Sequence, residues 1–431
     1  MEAEPKQQKS LDKFLKIQVL LIGLLAVGET IFFFFEQNYF NTFLTHVLRL
    51  EPYYVSIMVS LSALMGLIAQ IILGIKTDNT RSKYGRRRPF LLCGTIAGIS
   101  MILFAFSNDF VTCLIIDVII IGITTNAYLV AKRSLIPDIV EPELRGRANG
   151  IINIVSNLGL LVALALFLVA NEVFAVPDPQ GDGNIIPREG HLFLFSVGGL
   201  TIFFAALMGF FFIKEKPVEE LPPKKKFFED LKSTFNLEEL KNQKEFFKIT
   251  LALMIFKSGS ACIMPFLFIF IFGLGLNTLQ LLIGIGIAFP VLCGVIMYIG
   301  KIIDKYGRKR FLPIIIIVVC LGLFLVPFTK TATGVNLILV FVTFPFIMVA
   351  LLGFITPTDA WSQDLLPIDK RGQFTGILNI VNTVSQIIGA VTAGIVATFL
   401  GIQWIFAFAP IFFLVAIPLF LKVEETLPLK V

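Results

Sequence analysis

Several ionisable side chains lie inside long apolar stretches of this sequence, where a charge is costly unless it has a partner or a function. Glu29 and Glu36, seven residues apart, share one stretch, and Lys257 lies about ten residues into another. Seven residues are about 700° of helical rotation, so the two carboxylates fall on one helical face. Asp117 lies about 10 Å inside the end of a further stretch, by helix rise. Such carboxylates can exchange protons or pair with an ammonium group.

Neutral amides form two stripes on apolar stretches. Asn153 and Asn157 are spaced i, i+4, and a second set, Asn379, Asn382 and Gln386, is spaced i, i+3, i+7. Residues at these spacings share one face of a helix. Amides bind the hydroxyl groups of sugars, and hydrogen bonding between packed helices is an equal alternative for each of them. The remaining polar candidates for substrate binding or coupling are Tyr39, Asn126 and Arg133.

Two loop patterns occur twice. Gly-x-x-x-Asp begins at Gly74 and again at Gly300, and an Asp followed seven residues later by Arg-Gly begins at Asp138 and again at Asp364. The second copy of each pattern follows the first at the same distance along the chain, which we call the repeat offset. Glycine permits a tight turn, and the charged residues can form a network that holds one closed state and breaks in another. Chance does not keep one offset across two loops, so the chain contains an internal repeat.

The composition excludes most classes of protein. Of the 431 residues, 56% are apolar and 15% are charged, whereas soluble domains carry about 25% charged residues. A soluble enzyme, a disordered chain and a disulfide scaffold are therefore excluded. The five cysteines form no CxxC pair, and the sequence contains no HExxH, GxSxG or Walker motif. We expect a membrane protein that is not an enzyme and holds no metal or cofactor.

Twelve stretches are long and apolar enough to cross a membrane as helices. Their predicted bounds are 17 to 40, 53 to 76, 90 to 107, 110 to 132, 148 to 170, 191 to 213, 247 to 273, 278 to 300, 311 to 328, 335 to 358, 374 to 398 and 401 to 421. Nearly all Lys and Arg lie in the tails and the even-numbered connections. By the positive-inside rule both termini are cytoplasmic. The net charge of +6 then reports topology and not nucleic-acid binding.

The longest connection, 214 to 246, divides the stretches into two sets of six. Its Lys, Glu and Pro content predicts a cytoplasmic linker, in which 227 to 240 forms either a helix on the membrane surface or a plain solvated helix. The predicted domains are a six-helix bundle at 1 to 213 and another at 247 to 431. Parallel six-helix repeats are typical of transporters, because rocking of one half against the other opens a central cavity to each side in turn.

The repeated loops resemble the signature loop of the major facilitator superfamily. The first copy also resembles that of the sucrose–proton symporters and of the wider glycoside, pentoside and hexuronide symporters, through four extra residues before Gly85 and the run Gly-Arg-Arg-Arg-Pro-Phe at 85 to 90. Glu36-x-x-Tyr39 and the sequence from Arg133 to Asp138 agree with this group. The resemblance implies an all-α membrane protein of twelve transmembrane helices as two six-helix pseudo-repeats, and transport of a sucrose-like glycoside with a proton.

The resemblance also assigns roles within the spans. The first and seventh spans of the superfamily face each other, which makes Glu29 and Lys257 the expected central ion pair, either as a proton switch or as a static pair. Gly66 and Gln70 stand where the wider group carries an aspartate pair, so a sodium site of that type is not expected. Gly122 stands where plant sucrose carriers have an aspartate, so coupling needs another carboxylate.

Gating is expected of the charged residues in and near the repeated loops. Asp78 with Arg86, and Asp304 with Arg308, would latch one state of the carrier. Arg133 and Asp359, which are also separated by the repeat offset, would form an inner gate or hold a substrate hydroxyl. The full set of expected gating residues is Asp78, Arg81, Gly85, Arg86, Asp138, Arg145, Asp304, Gly307, Arg308, Asp359, Asp364 and Arg371.

The function expected from these features is proton-coupled import of a disaccharide or glycoside. The carrier would be a monomer of the plasma membrane, in contact with the lipid bilayer and a small sugar and not with nucleic acid. Two alternatives stay open at this point. One is a carrier of an amphipathic molecule or lysolipid, which phenylalanine-rich spans would suit, and the other is a membrane scaffold without transport activity.

Overall fold

The computed structural model describes residues 12–181, 183–215, 243–331, 334–366 and 371–426, apart from the side chains of residues 304, 306, 356 and 371–375. Most of the predicted linker, including its surface helix at 227 to 240, lies outside the described residues. The side chains of Asp304 and Arg371, two expected gating residues, lie outside them as well.

Long apolar helices form nearly all of the described chain. Eleven of them are long and apolar enough to cross a membrane, and the third predicted span is a shorter apolar helix. Numbered as spans 1 to 12, they are Lys13–Val47, Pro52–Asn79, Arg88–Phe104, Phe110–Ile139, Pro142–Phe174, Arg188–Phe212, Lys244–Gly273, Thr278–Ile303, Arg308–Thr329, Leu337–Asp364, Gly376–Leu400 and Ile402–Phe420. The all-α membrane fold predicted from the sequence is confirmed.

Three spans contain a π-helical segment, a form that locally changes the hydrogen-bond register of a helix and often lies at functional sites. These segments are Phe43–Val47 in span 1, Ile115–Ile121 in span 4 and Val349–Gly353 in span 10. In span 10 the segment is followed by Phe354 and then by a separate helix, Ile355–Asp364. We call Ile355–Asp364 the end helix of span 10.

Short connections carry the only strands in the described residues. Val176–Pro177 pairs with Asn184–Ile185 between spans 5 and 6. Lys330–Thr331 pairs with Gly334–Val335 between spans 9 and 10. Both pairs are antiparallel hairpins of two residues per strand, so they join helices and form no layer of their own. Asp109 caps the start of span 4, and hydrogen bonds from Thr112 hold the pKa of its carboxyl below the usual value.

The chain contains two compact units that do not coincide with the predicted halves. The first consists of the described residues of Met1–Gln37, Ile68–Val169 and His191–Glu229, and the second of those of Asn38–Leu67, Ala170–Gly190 and Asp230–Val431. Ends of spans 1, 2 and 5 thus group with the second half of the sequence. The domain boundaries at 213 and 247 stay a prediction.

Glycines allow close helix contacts inside each unit. In the first unit, a Cβ atom added to Gly98 of span 3 would overlap the carbonyl oxygen of Gly199 of span 6, and the reverse also holds. In the second unit, a Cβ atom on Gly389 of span 11 would lie 2.5 Å from the carbonyl oxygen of Ser258 of span 7. Small residues at such crossings let backbones approach within the membrane.

We expect Gly199→Ala to destabilise the protein by about 1 to 3 kcal/mol, because the added methyl group must displace the backbone of span 3. The measurement is a thermal melt of the purified protein in detergent. Gly150→Ala in span 5 is the matched control, since a Cβ atom there meets no atom within 4 Å. Equal melting temperatures for Gly199→Ala and the control would contradict the close packing of spans 3 and 6.

Candidate functional site: ion pairs within the spans and at their loops

An ion pair joins spans 1 and 4 in the first unit. Glu29 contacts the ammonium group of Lys132, and the two side chains are 17% and 14% exposed. Nearby, the Tyr128 hydroxyl donates to the carbonyl oxygen of Leu25 at 2.9 Å, which links the same two spans. Lys132 lies next to Arg133 in the sequence and was not among the predicted residues. Its pairing explains how a carboxylate can lie inside span 1.

A second ion pair joins spans 7 and 10 in the second unit. The Lys257 ammonium lies 2.9 Å from a carboxylate oxygen of Asp359 and donates to the side-chain oxygen of Asn382 in span 11 at 3.0 Å. The Lys257 and Asp359 side chains are 28% and 40% exposed. The sequence led us to expect a Glu29–Lys257 pair, but each of these residues finds an oppositely charged partner within its own unit.

Glu36 and Asp117 form a pair of like charges in the first unit. Their carboxyl groups are close enough to interact electrostatically, and Asp117, which lies in the π-helical segment of span 4, is only 2% exposed.

Tyr39, predicted as a substrate contact, is fully buried in the second unit. Its ring lies 5.6 Å from the ring of Phe268 and 6.3 Å from that of Phe272, measured between centroids. The ring therefore packs within an aromatic cluster, and neither face is available to stack on a sugar.

The predicted amides divide into exposed and internal groups. Asn126 is 7% exposed, and both ends of its amide are used: its oxygen accepts from Gln70 at 2.8 Å and its nitrogen donates to the carbonyl oxygen of Gly122 at 2.6 Å. Asn126 therefore links spans 2 and 4. The predicted polar residues that are exposed or half-buried on the helix surfaces are Arg133, Asn153, Asn157, Asn379, Asn382 and Gln386.

Asp138 is the centre of a charge network at the loop between spans 2 and 3. Arg86 binds both of its carboxylate oxygens, and Arg87 donates to one of them at 3.1 Å. Arg87 also pairs with Asp78 and donates to the Thr77 hydroxyl at 2.7 Å. Asp78 therefore pairs with Arg87 and not with Arg86, the partner expected from the sequence. The turn at Gly85, with φ +105°, precedes both arginines.

Glu215 anchors the same loop after span 6. Its carboxylate accepts hydrogen bonds from the backbone N–H groups of Arg86, Arg87 and Arg88 at 2.7 to 3.0 Å. These groups belong to the start of span 3, where the unpaired N–H groups of a helix favour an anion. The Arg88 guanidinium donates to the carbonyl oxygen of Phe210 at 2.7 Å, which fixes the end of span 6 to the start of span 3.

The second unit repeats this arrangement. Arg308 pairs with Asp364 at 2.7 Å and donates to the Thr426 hydroxyl at 2.9 Å, and Asp364 is the repeat equivalent of Asp138. After span 12, Glu425 accepts from the backbone N–H of Lys309 at 2.8 Å. The expected partner of Arg308 was Asp304, whose side chain lies outside the described residues. Gly307, with φ +86°, forms the turn before Arg308, as Gly85 does before Arg86.

Two expected gating arginines bind backbone oxygens. Arg81 donates to the carbonyl oxygen of Asp78 at 2.8 Å. Arg145 donates to those of Pro137 and Val140 at 2.9 and 3.1 Å. Both arginines thus hold the shape of their own loops.

The sequence contains a signal for the two glutamates, although neither was among the predicted residues. Glu215 and Glu425 each follow the last span of their half, and each precedes a proline by two or three residues, at Pro217 and Pro428. An acidic residue shortly after the last span of both halves, although not at the repeat offset, indicates a shared role. No comparable signal marks Lys132, which looks like an ordinary basic residue at the end of a span.

We expect Asp138→Asn to destabilise the protein more than Asp78→Asn, by about 2 kcal/mol against less than about 1 kcal/mol. Asp138 is 16% exposed, and its loss would leave Arg86 without its carboxylate partner, although Arg87 would keep Asp78. Asp78 is 56% exposed, and Arg87 would keep Asp138 in its absence. Thermal melts of the two isosteric variants measure the difference. A larger loss for Asp78→Asn would show that the Arg87–Asp78 pair, and not Asp138, holds the loop.

Known proteins resemble this chain in both sequence and structure. It is 27% identical over 164 residues to the general alpha-glucoside permease of Schizosaccharomyces pombe, a match that covers 34% of this chain and 30% of the permease. It is 30% identical over 108 residues to sucrose transport protein SUC3 of Arabidopsis thaliana, covering 20% of this chain and 18% of that protein. The matched regions thus span less than a third of either relative.

Solved structures share the fold over nearly the whole chain. The nucleoside transporter NupG superposes with a TM-score of 0.71 at 14% identity, covering 94% of this chain and 98% of NupG. The D-xylose–proton symporter superposes with a TM-score of 0.63 at 16% identity, covering 97% and 99%. The relatives and neighbours are transporters and not enzymes. The model of the Major Facilitator Superfamily matches residues 19–358 and 295–430, so the chain belongs to the Major Facilitator Superfamily.

Proposed function

We propose that this chain is a secondary carrier that moves a disaccharide or glycoside together with a proton by alternating access. Membership of the superfamily supports carriage of a small molecule. The names of the two sequence relatives, an alpha-glucoside permease and a sucrose transport protein, support a sugar as that molecule. The observation that carries the proposal is the amide stripe of span 11.

The stripe places hydrogen-bonding groups where lipid cannot satisfy them. Asn379, Asn382 and Gln386 all reach the surface along one face of a long apolar helix. Amides facing hydrocarbon would lose their hydrogen bonds at a cost of several kcal/mol, so this face suits contact with water or a polar ligand. Amides that both donate and accept match the hydroxyl groups of a neutral sugar.

Proton coupling is supported by the carboxylates within the spans. Glu29, Glu36, Asp117 and Asp359 are carboxylates inside the membrane helices that could exchange a proton. The aspartate pair of the wider symporter group is replaced by Gly66 and Gln70, and Gln70 donates to Asn126. We therefore propose the proton, and not sodium, as the coupling ion.

The charge of the loops supports an orientation with both termini in the cytoplasm, and we propose the plasma membrane as the site of the protein and a monomer as its functional form. On this orientation Asp138 and Asp364 lie in networks on the cytoplasmic side. Epitope tags on the two termini of the protein in intact cells would test the orientation, because both should stay inaccessible to antibody until the cells are permeabilised.

The central experiment is uptake of labelled sugars into proteoliposomes that contain the purified chain. We expect an imposed inward proton gradient to drive accumulation of sucrose, maltose or a related glycoside, and an imposed sodium gradient to have no effect. Protein-free liposomes provide the baseline. Proton-driven movement of a lysolipid with no movement of any sugar would contradict the proposed substrate, and absence of movement of either would favour a scaffold.

We expect Gln386→Leu to raise KM for the transported sugar about tenfold, which corresponds to about 1.4 kcal/mol, or roughly one hydrogen bond. The adjacent Ser385→Ala provides the matched control. Ser385 is 1% exposed and donates to the carbonyl oxygen of Met254 at 2.8 Å, so its loss should lower the melting temperature and leave KM unchanged. If both variants changed only the melting temperature, the amide stripe would be a helix-packing feature.

A further inference from the structure

The end helix of span 10, Ile355–Asp364, is held by three side chains that bind three different elements. Asp359 pairs with Lys257 of span 7 at 2.9 Å. The indole N–H of Trp361 donates to the carbonyl oxygen of Glu424, after span 12, at 3.0 Å. Asp364 pairs with Arg308 at the start of span 9 at 2.7 Å. One short helix thus connects an ion pair inside the membrane to the charge network of a loop.

The end helix follows a segment of irregular helical register. The π-helical segment Val349–Gly353 and Phe354 lie directly before it. A local change of helical register permits a helix to change direction without disturbing the preceding turns. The Ser260 hydroxyl of span 7 donates to the carbonyl oxygen of Ala350 at 2.9 Å, which ties the π-helical segment to span 7 independently of Asp359.

The two ion pairs of the spans differ in how much of their side chains is exposed. Glu29 and Lys132 are 17% and 14% exposed, whereas Lys257 and Asp359 are 28% and 40% exposed. A carboxylate exchanges protons with water only if water reaches it, and Asp359 is the most exposed member of either pair. Asp359 also lies near the amide stripe, because Asn382 shares the Lys257 ammonium with it.

We propose that Asp359 is the proton-binding residue of this carrier and that the end helix transmits its protonation to the Asp364–Arg308 contact. The inference rests on the proposed function as far as coupled transport is concerned. Its structural part, a proton-driven movement of the end helix, does not depend on the identity of the substrate.

The step is a simple proton transfer. The Asp359 carboxylate takes a proton from water and becomes a neutral acid, which no longer attracts the Lys257 ammonium by charge. Lys257 keeps its hydrogen bond to Asn382, so the ammonium group still has a hydrogen-bond acceptor. The end helix loses its ion pair to span 7, and we expect it to turn at the irregular segment before it, against the contacts that Trp361 and Asp364 still make. Asp364 lies on the same helix five residues later, so its contact with Arg308 moves with it.

Among the described residues, few charged groups lie around Asp359. Lys257 is the charged residue that binds it from span 7, and Asn382 of span 11 is neutral. The π-helical segment packed against the end helix, Val349–Gly353, contains no ionisable residue. Two further acidic residues contact the end helix or lie on it: Asp364 binds Arg308 and Thr426, and the carbonyl oxygen of Glu424 accepts from Trp361. A pH response of the end helix is therefore assigned to Asp359 only if it disappears in Asp359→Asn.

Trp361 provides a direct reporter of the end helix. It is 0% exposed and stacks on Phe420 with ring centroids 5.8 Å apart. The chain has only two tryptophans, so Trp404→Phe leaves Trp361 as the sole indole. In purified Trp404→Phe protein, we expect acidification from about pH 7 to about pH 3, below the usual pKa of an aspartate, to shift the Trp361 emission to the red, because movement of the helix exposes the indole to water.

Asp359→Asn in the Trp404→Phe background removes the titrating group with little change in size. We expect its emission to be independent of pH over the same range. Asp109→Asn is the matched control, because Asp109 caps span 4 and asparagine caps a helix equally well, so the red shift should persist in it. A red shift that persists in Asp359→Asn would overturn the inference, whatever the protein transports.

Transport assays distinguish failure of the coupling role of Asp359 from failure of the proposed function. With a sugar that the wild-type protein accumulates, Asp359→Asn should lose accumulation against a gradient and keep sugar counterflow, and Asp359→Glu should regain accumulation. If Asp359→Asn folds poorly, Asp359→Glu with a displaced pH profile of uptake still supports the assignment, and an unchanged pH profile of uptake contradicts it.

Loss of accumulation in Glu29→Gln, with accumulation kept in Asp359→Asn, would place the proton on Glu29. A wild-type protein that moves no sugar would contradict the proposed function and leave the fluorescence test of the end helix standing.

Discussion

A charged side chain inside an apolar helix must have a partner, and this requirement determines which helices of this chain can separate. In each half of the sequence, an ion pair joins the first span to the fourth, as Glu29–Lys132 and as Lys257–Asp359. Removal of one partner leaves a desolvated charge, which costs several kcal/mol. Separation of the paired spans would therefore leave charges without partners, which separation of purely apolar contacts does not. Such an ion pair can take part in proton coupling only if water reaches it. Asp359 is the more exposed acidic residue of the two pairs.

The same requirement, that a charge must have a partner, also applies at the loops where helices begin and end. Glu215 and Glu425 each place a carboxylate on backbone N–H groups at the start of a span, where the helix dipole favours a negative charge. The neighbouring arginines then bind Asp138 in one unit and Asp364 in the other. Each network combines a fixed part, the glutamate on backbone groups, with a breakable part, the arginine–aspartate pair. Loss of the arginine–aspartate pair would therefore leave the glutamate contacts of the loop in place.

The sequence predicts the helices well and the side-chain partners poorly. Apolar length fixes the spans because lipid offers no hydrogen bonds to an open backbone, and the constant repeat offset identifies Asp138 and Asp364 as equivalent. The choice between Arg86 and Arg87 as the partner of Asp78 depends on the direction of the chain after Gly85, which spacing does not contain. Tyr39 also illustrates the limit, since nothing in its spacing shows that Phe268 and Phe272 pack against it.

The ion pairs of the two halves place the acidic and basic residues on opposite members of the paired spans. This difference bears on how the two repeats diverged. A duplication that copied a pair would preserve its residues at one offset, yet the position equivalent to Glu29 is Ile255 and that equivalent to Lys257 is Ile31. The first half carries its acid on the first span, and the second half carries its acid on the fourth. The pairs were therefore not inherited as copies of one ancestral pair. The pair with its acid on the fourth span is also the more exposed of the two, so the difference in placement goes with a difference in exposure.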